Sequence, residues 1–320
     1  MNILITGGAG YIGSITTRVL LDAGHSCTVV DTLENGHRWA VDRRANFALG
    51  NVGDAALMRS LLVDIDCVMH LAGYIEVGES YQNPEKYYRN NVEAPKVMLE
   101  EMVRAQVDKL VFSSTAAVYG EPSQIPITEE ALTAPINPYG ESKLRFEQLL
   151  DRFGDSISSI RFRYFNAAGA MPDVSLGEDH DPETHLIPNI LRTIIAGEDR
   201  FVLFGNQYPT VDGTCVRDYI HVFDIAQAHR LGIEALAHGF KGGIYNLGNG
   251  NGFSNLEIVD GCRQVSGESL AIAFADPRDG DPAVLVASPQ RAADELDWHP
   301  RYSDINTIIS HAYAWHRAHQ

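Results

Sequence analysis

Tyr139 and Lys143 stand four residues apart in Asn137-Pro-Tyr-Gly-Glu-Ser-Lys143. On a helix this spacing puts both side chains on one face, one turn apart. A free phenol titrates near ~10 and is a poor base at neutral pH. A neighbouring ammonium, or the positive ring of an oxidised nicotinamide, favours the phenolate. The pair therefore suits removal of a proton from an alcohol while a hydride leaves. Alone, Y-x-x-x-K far more often describes an aromatic on a helix beside an exposed lysine. A glycine loop near the start of the chain separates the two readings.

That loop is Gly7-Gly-Ala-Gly-Tyr-Ile-Gly13. It follows a strand-like run at 2–6 and leads into a helix-like segment at 11–23. Glycine permits a tight turn and close backbone approach, and a helix N-terminus offers unpaired N–H groups to phosphate oxygens. Asp31 closes the next apolar run, 18 residues beyond Gly13. Its carboxylate can accept hydrogen bonds from ribose hydroxyls and repels a 2′-phosphate, which favours NAD over NADP. Thr115 ends a further run, Leu110-Val-Phe-Ser-Ser-Thr115, where a hydroxyl can hold a substrate oxygen.

These residues need a frame that brings strand ends together. Short apolar runs at 3–6, 27–31, 47–49, 67–71, 110–113 and 157–162 read as buried parallel strands. Helical patterns at 12–23, 54–63, 84–106 and 138–153 alternate with them. Pro84 suits a first helical turn. The alternation predicts an α/β, doubly wound parallel sheet of the Rossmann type with a smaller mixed α/β substrate-binding domain. Residues 1–170 form the NAD-binding part in this reading. The stretch 217–235 reads as a strand end entering a helix and 243–247 as another strand, so 216–248 is expected to return to it. Residues 171–215 and 249–320 are left for the substrate.

The length of 320 residues accommodates both parts. A net charge of −17 disfavours nucleic acid and anionic membranes as partners. Cys27, Cys67, Cys215 and Cys262 are widely spaced and read as buried thiols in a reducing compartment. The 12 histidines show no H-E-x-x-H or comparable spacing, so no metal is expected. No apolar run is long enough to span a bilayer and no secretory leader is evident, which makes the cytoplasm the default.

Five runs occur in order: Thr6-Gly-Gly-Ala-Gly-Tyr-Ile-Gly-Ser14, Ser113-Ser-Thr-Ala-Ala-Val-Tyr-Gly120, Asn137-Pro-Tyr-Gly-Glu-Ser-Lys143, Arg163-Tyr-Phe-Asn166 and Asp212-Gly-Thr-Cys-Val-Arg-Asp-Tyr-Ile-His-Val222. With Pro277-Arg-Asp-Gly-Asp281 they make the chain similar to the UDP-glucose 4-epimerase family of the extended short-chain dehydrogenase/reductases. The resemblance covers nearly the whole chain. It implies that Tyr139 takes the proton of the sugar 4-hydroxyl while NAD takes the C4 hydride. The 4-keto sugar then turns over, and the hydride returns to its other face. Thr115 shares the oxygen's hydrogen bond, and Lys143 holds ribose hydroxyls and lowers the Tyr139 pKa.

By the same resemblance NAD is a retained cofactor. It contacts Gly7, Gly10, Tyr11, Ile12 and Gly13 at the loop, then Asp31, Asn51 and Val52. Leu71, Ala72, Gly73 and Asn90 follow, with Ser113 and Tyr164 beside Tyr139 and Lys143. The UDP-sugar falls to Asn166, His185, Leu186, Val202, Phe204, Arg217, Tyr219, Arg278 and Asp281, with Leu285 limiting sugar size. Arginine suits a diphosphate because its planar fork donates in pairs. A homodimer is implied, built from 84–106 and 138–153 of each subunit as a four-helix bundle.

Some positions depart from the family pattern. Asn51 replaces an aspartate, and Ile75 replaces a lysine that helps hold the cofactor, which implies weaker NAD retention. Ala116 and Ala117 stand where 4,6-dehydratases carry an Asp-Glu pair, which argues against dehydration. A 4-epimerase of another UDP-sugar (N-acetylated, uronate or pentose) and a non-catalytic NAD-binding protein remain as alternatives. The second usually lacks the Tyr or the Lys.

Overall fold

The computed structural model describes residues 1–278 and 280–319, so Asp279 of the Pro277–Asp281 run lies outside the described residues. In chain order the strands are β1 (Asn2–Thr6), β2 (Ser26–Asp31), β3 (Asn46–Leu49), β4 (Cys67–His70), β5 (Lys109–Thr115), β6 (Ser158–Tyr164) and β7 (Asn166–Ala168). Then come β8 (Arg200–Phe204), β9 (Val216–His221), β10 (Gly242–Leu247), β11 (Gly252–Ser254), β12 (Ala271–Ala275) and β13 (Val284–Leu285). Seven of them form one parallel sheet in the order β10-β6-β5-β4-β1-β2-β3.

Successive strand residues point to opposite faces, so each buried strand feeds two apolar layers. Ile3, Ile5, Val29, Met69, Val111 and Phe162 line one face. There the helices Tyr11–Asp22 and Val222–Ala237 pack together, the second also lying over β5 and β6. Leu4, Val30, Val68, Leu110 and Phe112 line the other face with Met58, Met98 and Phe146, from the helices Ala55–Leu61, Ala94–Arg104 and Pro138–Arg152. Each fully buried apolar side chain of this size contributes roughly 1.5–3 kcal/mol. The sheet is the doubly wound α/β frame expected from the alternation. Its strand order reverses between β1 and β4, and the crevice at the carboxyl ends there is where such sheets hold ligands.

The predicted helix at 84–106 carries a π-helical turn, Arg89–Glu93, between Pro84–Tyr88 and Ala94–Arg104. Pro95 explains it: the ring cannot donate to the carbonyl of Asn91, and an extra residue in the turn relieves the clash. Of the stretch 216–248, β10 extends the main sheet beside β6 and Val222–Ala237 covers that sheet. β9 instead lies in a small sheet with β7, β11 and β13. A parallel pair, β8 and β12, and the helices Leu186–Ile195, Asn255–Ser266 and Ile305–His319 complete the second lobe. Its core gathers Ile187, Ile190, Ile258, Val259, Ile308 and Ile309. No described helix is long and apolar enough to cross a membrane.

Candidate active site

The helix that carries Tyr139 starts cleanly. Asn137 caps it by accepting from Gly140 N at 2.8 Å, and Pro138 occupies its first turn. Gly140 decides where that turn sits. A Cβ there would lie 2.6 Å from the carbonyl oxygen of Ala117. Only glycine lets the first turn press against the short 3-10 segment Ala116–Tyr119 that follows Thr115. The contact brings the Thr115 hydroxyl into hydrogen bonding with Tyr139.

Burial pushes the Tyr139 phenol up to about 12, the Thr115 hydrogen bond works against this, and Glu76 adds to it. Lys143 is buried and donates to the Ser113 carbonyl at 3.0 Å. Burial pulls it down to about 8, with Glu147 opposing. The protein's own groups therefore hold Tyr139 as a phenol at neutral pH. A further positive charge is needed to make it a base, and a bound oxidised nicotinamide carries one.

The glycine loop closes on itself. A Cβ on Gly13 would meet Gly7 O at 2.1 Å, and Gly7, at φ +73, would meet Ala72 N at 2.6 Å. Gly10 is different, because the nearest atom to its Cβ is 3.5 Å away. Packing within the protein does not require glycine at 10, whereas close approach of a pyrophosphate does. Asp31 accepts from Ala9 N at 3.0 Å and Leu33 N at 2.8 Å, tying the loop to the end of β2. These residues fit a dinucleotide. Tyr11 is spent structurally, donating to Gly169 O at 2.6 Å, while Ile12 packs on the sheet core.

Leu71, Ala72 and Gly73 leave β4 towards Lys143, and a Cβ on Gly73 would lie 3.2 Å from Lys143 Nζ. Asn91, next to Asn90, binds this segment. It accepts from Tyr74 N at 2.9 Å and donates to Tyr74 O and Ser142 Oγ, each at 3.0 Å. The Pro95-driven π-turn, which includes both asparagines, is the signal that could have pointed to it. Val52 is buried, and Asn51 is exposed with its side chain on Gly53 N at 2.8 Å. Tyr164 donates to His229 Nε2 at 2.6 Å, because His229 Nδ1 faces Ile225 O at 2.9 Å and carries the proton.

The other expected residues gather on the second lobe. Asn166 pairs in register with Tyr219, and Leu285 with Arg217. Arg217 forms a short ion pair with Asp281, and the Arg278 guanidinium sits 4.4 Å over the Phe204 ring. Val202 and Phe204 are exposed apolar residues on β8, as an aromatic base would require. Leu285 packs against a cluster of Ala116 and Val118, on the segment that follows Thr115, and Phe165, just after β6. His185 precedes the helix Leu186–Ile195 without capping it, and Leu186 packs into the lobe's core.

Residues 3–248 match the profile of the NAD dependent epimerase/dehydratase family. The chain belongs to it. A UDP-glucose 4-epimerase of Halalkalibacterium halodurans is 46% identical over 100% of this chain and 96% of its own. A solved UDP-glucose 4-epimerase superposes with a TM-score of 0.96 at 47% identity, covering 100% of this chain and 98% of that one. The enzyme of Brucella ovis in complex with NAD gives 0.94 at 42% identity, covering 98% and 97%. Within this NAD dependent epimerase/dehydratase fold, the chain also holds a polar network that its motifs did not disclose. Ser114 donates to Glu147 at 2.5 Å, Arg163 pairs with Glu147 through two hydrogen bonds, and Tyr119 donates to Asn246 at 2.7 Å. Ser114 adjoins Thr115 and Glu147 stands one helical turn beyond Lys143, so the network fixes β5, β6 and the Tyr139 helix together.

Proposed function

We propose that this protein interconverts UDP-glucose and UDP-galactose by inverting the sugar at C4. The observation that carries the reading is the Thr115-Ala116-Ala117 turn pressed under Gly140. It gives Tyr139 one hydroxyl neighbour, and it uses for packing the two positions where elimination chemistry needs an acid and a base. NAD, when bound, supplies hydride acceptance and return. Tyr139 removes and then restores the proton of the 4-oxygen, and Thr115 holds that oxygen during both steps. Lys143, anchored on Ser113 O, directs its charge to the same face. Arg217 and Arg278 face the diphosphate, and Leu285 limits the space beside the sugar.

Residues 1–170 with 216–248 make the NAD side and 171–215 with 249–320 the UDP-sugar side; the main sheet and its helices support most of this grouping, while β7 and β9 lie in the small sheet of the second lobe. The subunit pairs as a homodimer through the helices around 84–106 and 138–153. These adjoin on one side of the sheet, where Tyr88 donates to Glu141 at 2.7 Å. Four free, buried cysteines support a cytoplasmic location. The test is purified protein with UDP-galactose and no added NAD, followed by product analysis and light scattering. UDP-glucose should form. Binding of UDP-sugar without interconversion, with or without NAD, would overturn the reading.

A further inference from the structure

The segment 178–185, ahead of the helix Leu186–Ile195, gathers Glu178, His180, Glu183 and His185. One donor atom of each lies within 4.8 Å of the others. His180 Nδ1 is 3.3 Å from Glu178 Oε1 and 3.9 Å from Glu183 Oε1. His185 Nδ1 is 3.5 Å from Glu183 Oε1 and hydrogen-bonded to Glu178 Oε1. A tetrahedral ion with bonds of ~2.0–2.2 Å needs donor-to-donor edges of about 3.3–3.6 Å. The His180–Glu178 and His185–Glu183 edges match that spacing and the His180–Glu183 edge is somewhat longer, while the hydrogen-bonded His185–Glu178 pair must part for both to bind one ion.

A plain His–Glu ion-pair network is the simpler account, but it leaves atoms unsatisfied. The carboxylate side chains of Glu178 and Glu183 are only 4% and 3% exposed. Buried carboxylates normally use both oxygens. Yet Glu183 Oε2 and His180 Nδ1 have no hydrogen-bond partner, and neither do Arg192 Nε and His316 Nδ1. Arg192 lies 3.7 Å from Glu183, and His316 feels the charges of Glu178 and Glu183. Four of the seven such atoms among the described residues therefore surround one small cluster.

We infer that Glu178, His180, Glu183 and His185 form a binding site for a divalent transition-metal ion of the Zn²⁺ class. Two carboxylates balance the ion's charge, and the imidazoles favour a borderline metal over Mg²⁺ or Ca²⁺, which take oxygen donors. The nearby cation, Arg192, is engaged by Asp179 at 3.3 Å and the His180 carbonyl at 3.1 Å. The ion's role is structural. His180 sits edge-on to Tyr11 of the glycine loop at 6.3 Å, and His37 contacts the Asp179 carbonyl at 3.0 Å. Metal would pin the segment leading to Leu186 against the other lobe. It has no part in hydride transfer, and because His185 is also expected at the UDP-sugar, the test reads bound metal and Tm rather than turnover.

The experiment uses the full-length protein, stripped with chelator, desalted and titrated with ZnCl₂. After gel filtration, metal is measured by mass spectrometry and Tm by calorimetry. One Zn²⁺ per chain and a raised Tm are expected, with no response to Mg²⁺. His180→Asn and Glu183→Gln should each weaken binding by more than ~100-fold, whereas the exposed His299→Asn should not. Equal zinc in wild type and His180→Asn would overturn the site, as would none in wild type. If the variants do not fold, wild type loaded with Co²⁺ decides. Intense visible bands of a four-coordinate ion support the site, and weak bands or no retained Co²⁺ refute it.

Discussion

The two sides of the cleft are prepared in different ways. On the sheet side, Tyr139, Thr115 and Lys143 are set by contacts that no ligand supplies: Gly140 against Ala117, Lys143 on Ser113 O, and the Ser114–Glu147–Arg163 network behind them. On the lobe side, the groups proposed to meet the substrate are engaged with one another, Arg217 with Asp281 and Arg278 with Phe204. Chemistry demands positions held to a fraction of an ångström, and packing can give that in advance. Recognition of a charged, flexible ligand needs groups that can exchange partners, and Asp281 is the more exposed member of its pair with the buried Arg217.

The largest effect should come from Tyr139→Phe, which removes the proton carrier and leaves the packing. Turnover of UDP-galactose should fall by at least ~10³-fold while NAD stays bound, as read by absorbance after gel filtration. A loss under tenfold would move the base elsewhere. Next is Gly140→Ala, which touches no ligand. Its added methyl must push the helix off Ala117 O, 2.6 Å away, so kcat should drop on the order of 10²-fold with KM little changed. A change confined to KM would show that the sheet side is less preset than its packing indicates.

Lys143 gives a pH test of the same contrast. Its folded value, about 8, lies below the ordinary 10.5, so folding disfavours its charged form. The cost is fully present below pH 8 and is relieved as pH rises from 8 towards 10.5. Cofactor-free Lys143→Met should therefore gain on the order of 1–3 kcal/mol at pH 7 in denaturant unfolding, less the bond to Ser113 O, and lose the advantage near pH 10. A variant less stable at pH 7 would refute the sign. The smallest effect belongs to the lobe side. Leu285→Ala should shift the preference between plain and N-acetylated UDP-sugars by about tenfold in kcat/KM and leave kcat for UDP-glucose within about twofold.

The sequence made the sheet side readable because its signals are local. The first strands are short apolar runs, Thr115 ends one of them, and Tyr139 and Lys143 open a helix marked by its own cap, Asn137-Pro138. The π-turn at Arg89–Glu93 was hidden inside a regular helical pattern, and with it the bonding of Asn91 to Tyr74 and Ser142. On the lobe, β7, β11 and β13 have only three, three and two residues, too few to show a period. β9 advertised burial but not its partners, since an apolar run looks alike in any sheet. The Arg217–Asp281 pair joins residues 64 positions apart, which spacing along the chain cannot reveal.

β10 and the helix Val222–Ala237 carry one more consequence. The chain leaves the first sheet after β6, builds part of the lobe, returns to add an edge strand and a covering helix, and leaves again. A fragment ending near residue 170 would lack both. Its β6 edge would present unpaired N–H and C=O groups, and Phe162 would lose Tyr245 and His229 from its surroundings. Open edges and bare aromatic faces recruit other chains. Separately expressed halves should therefore precipitate, and a soluble split form of this protein would need its break at a surface loop that keeps 216–248 with residues 1–170.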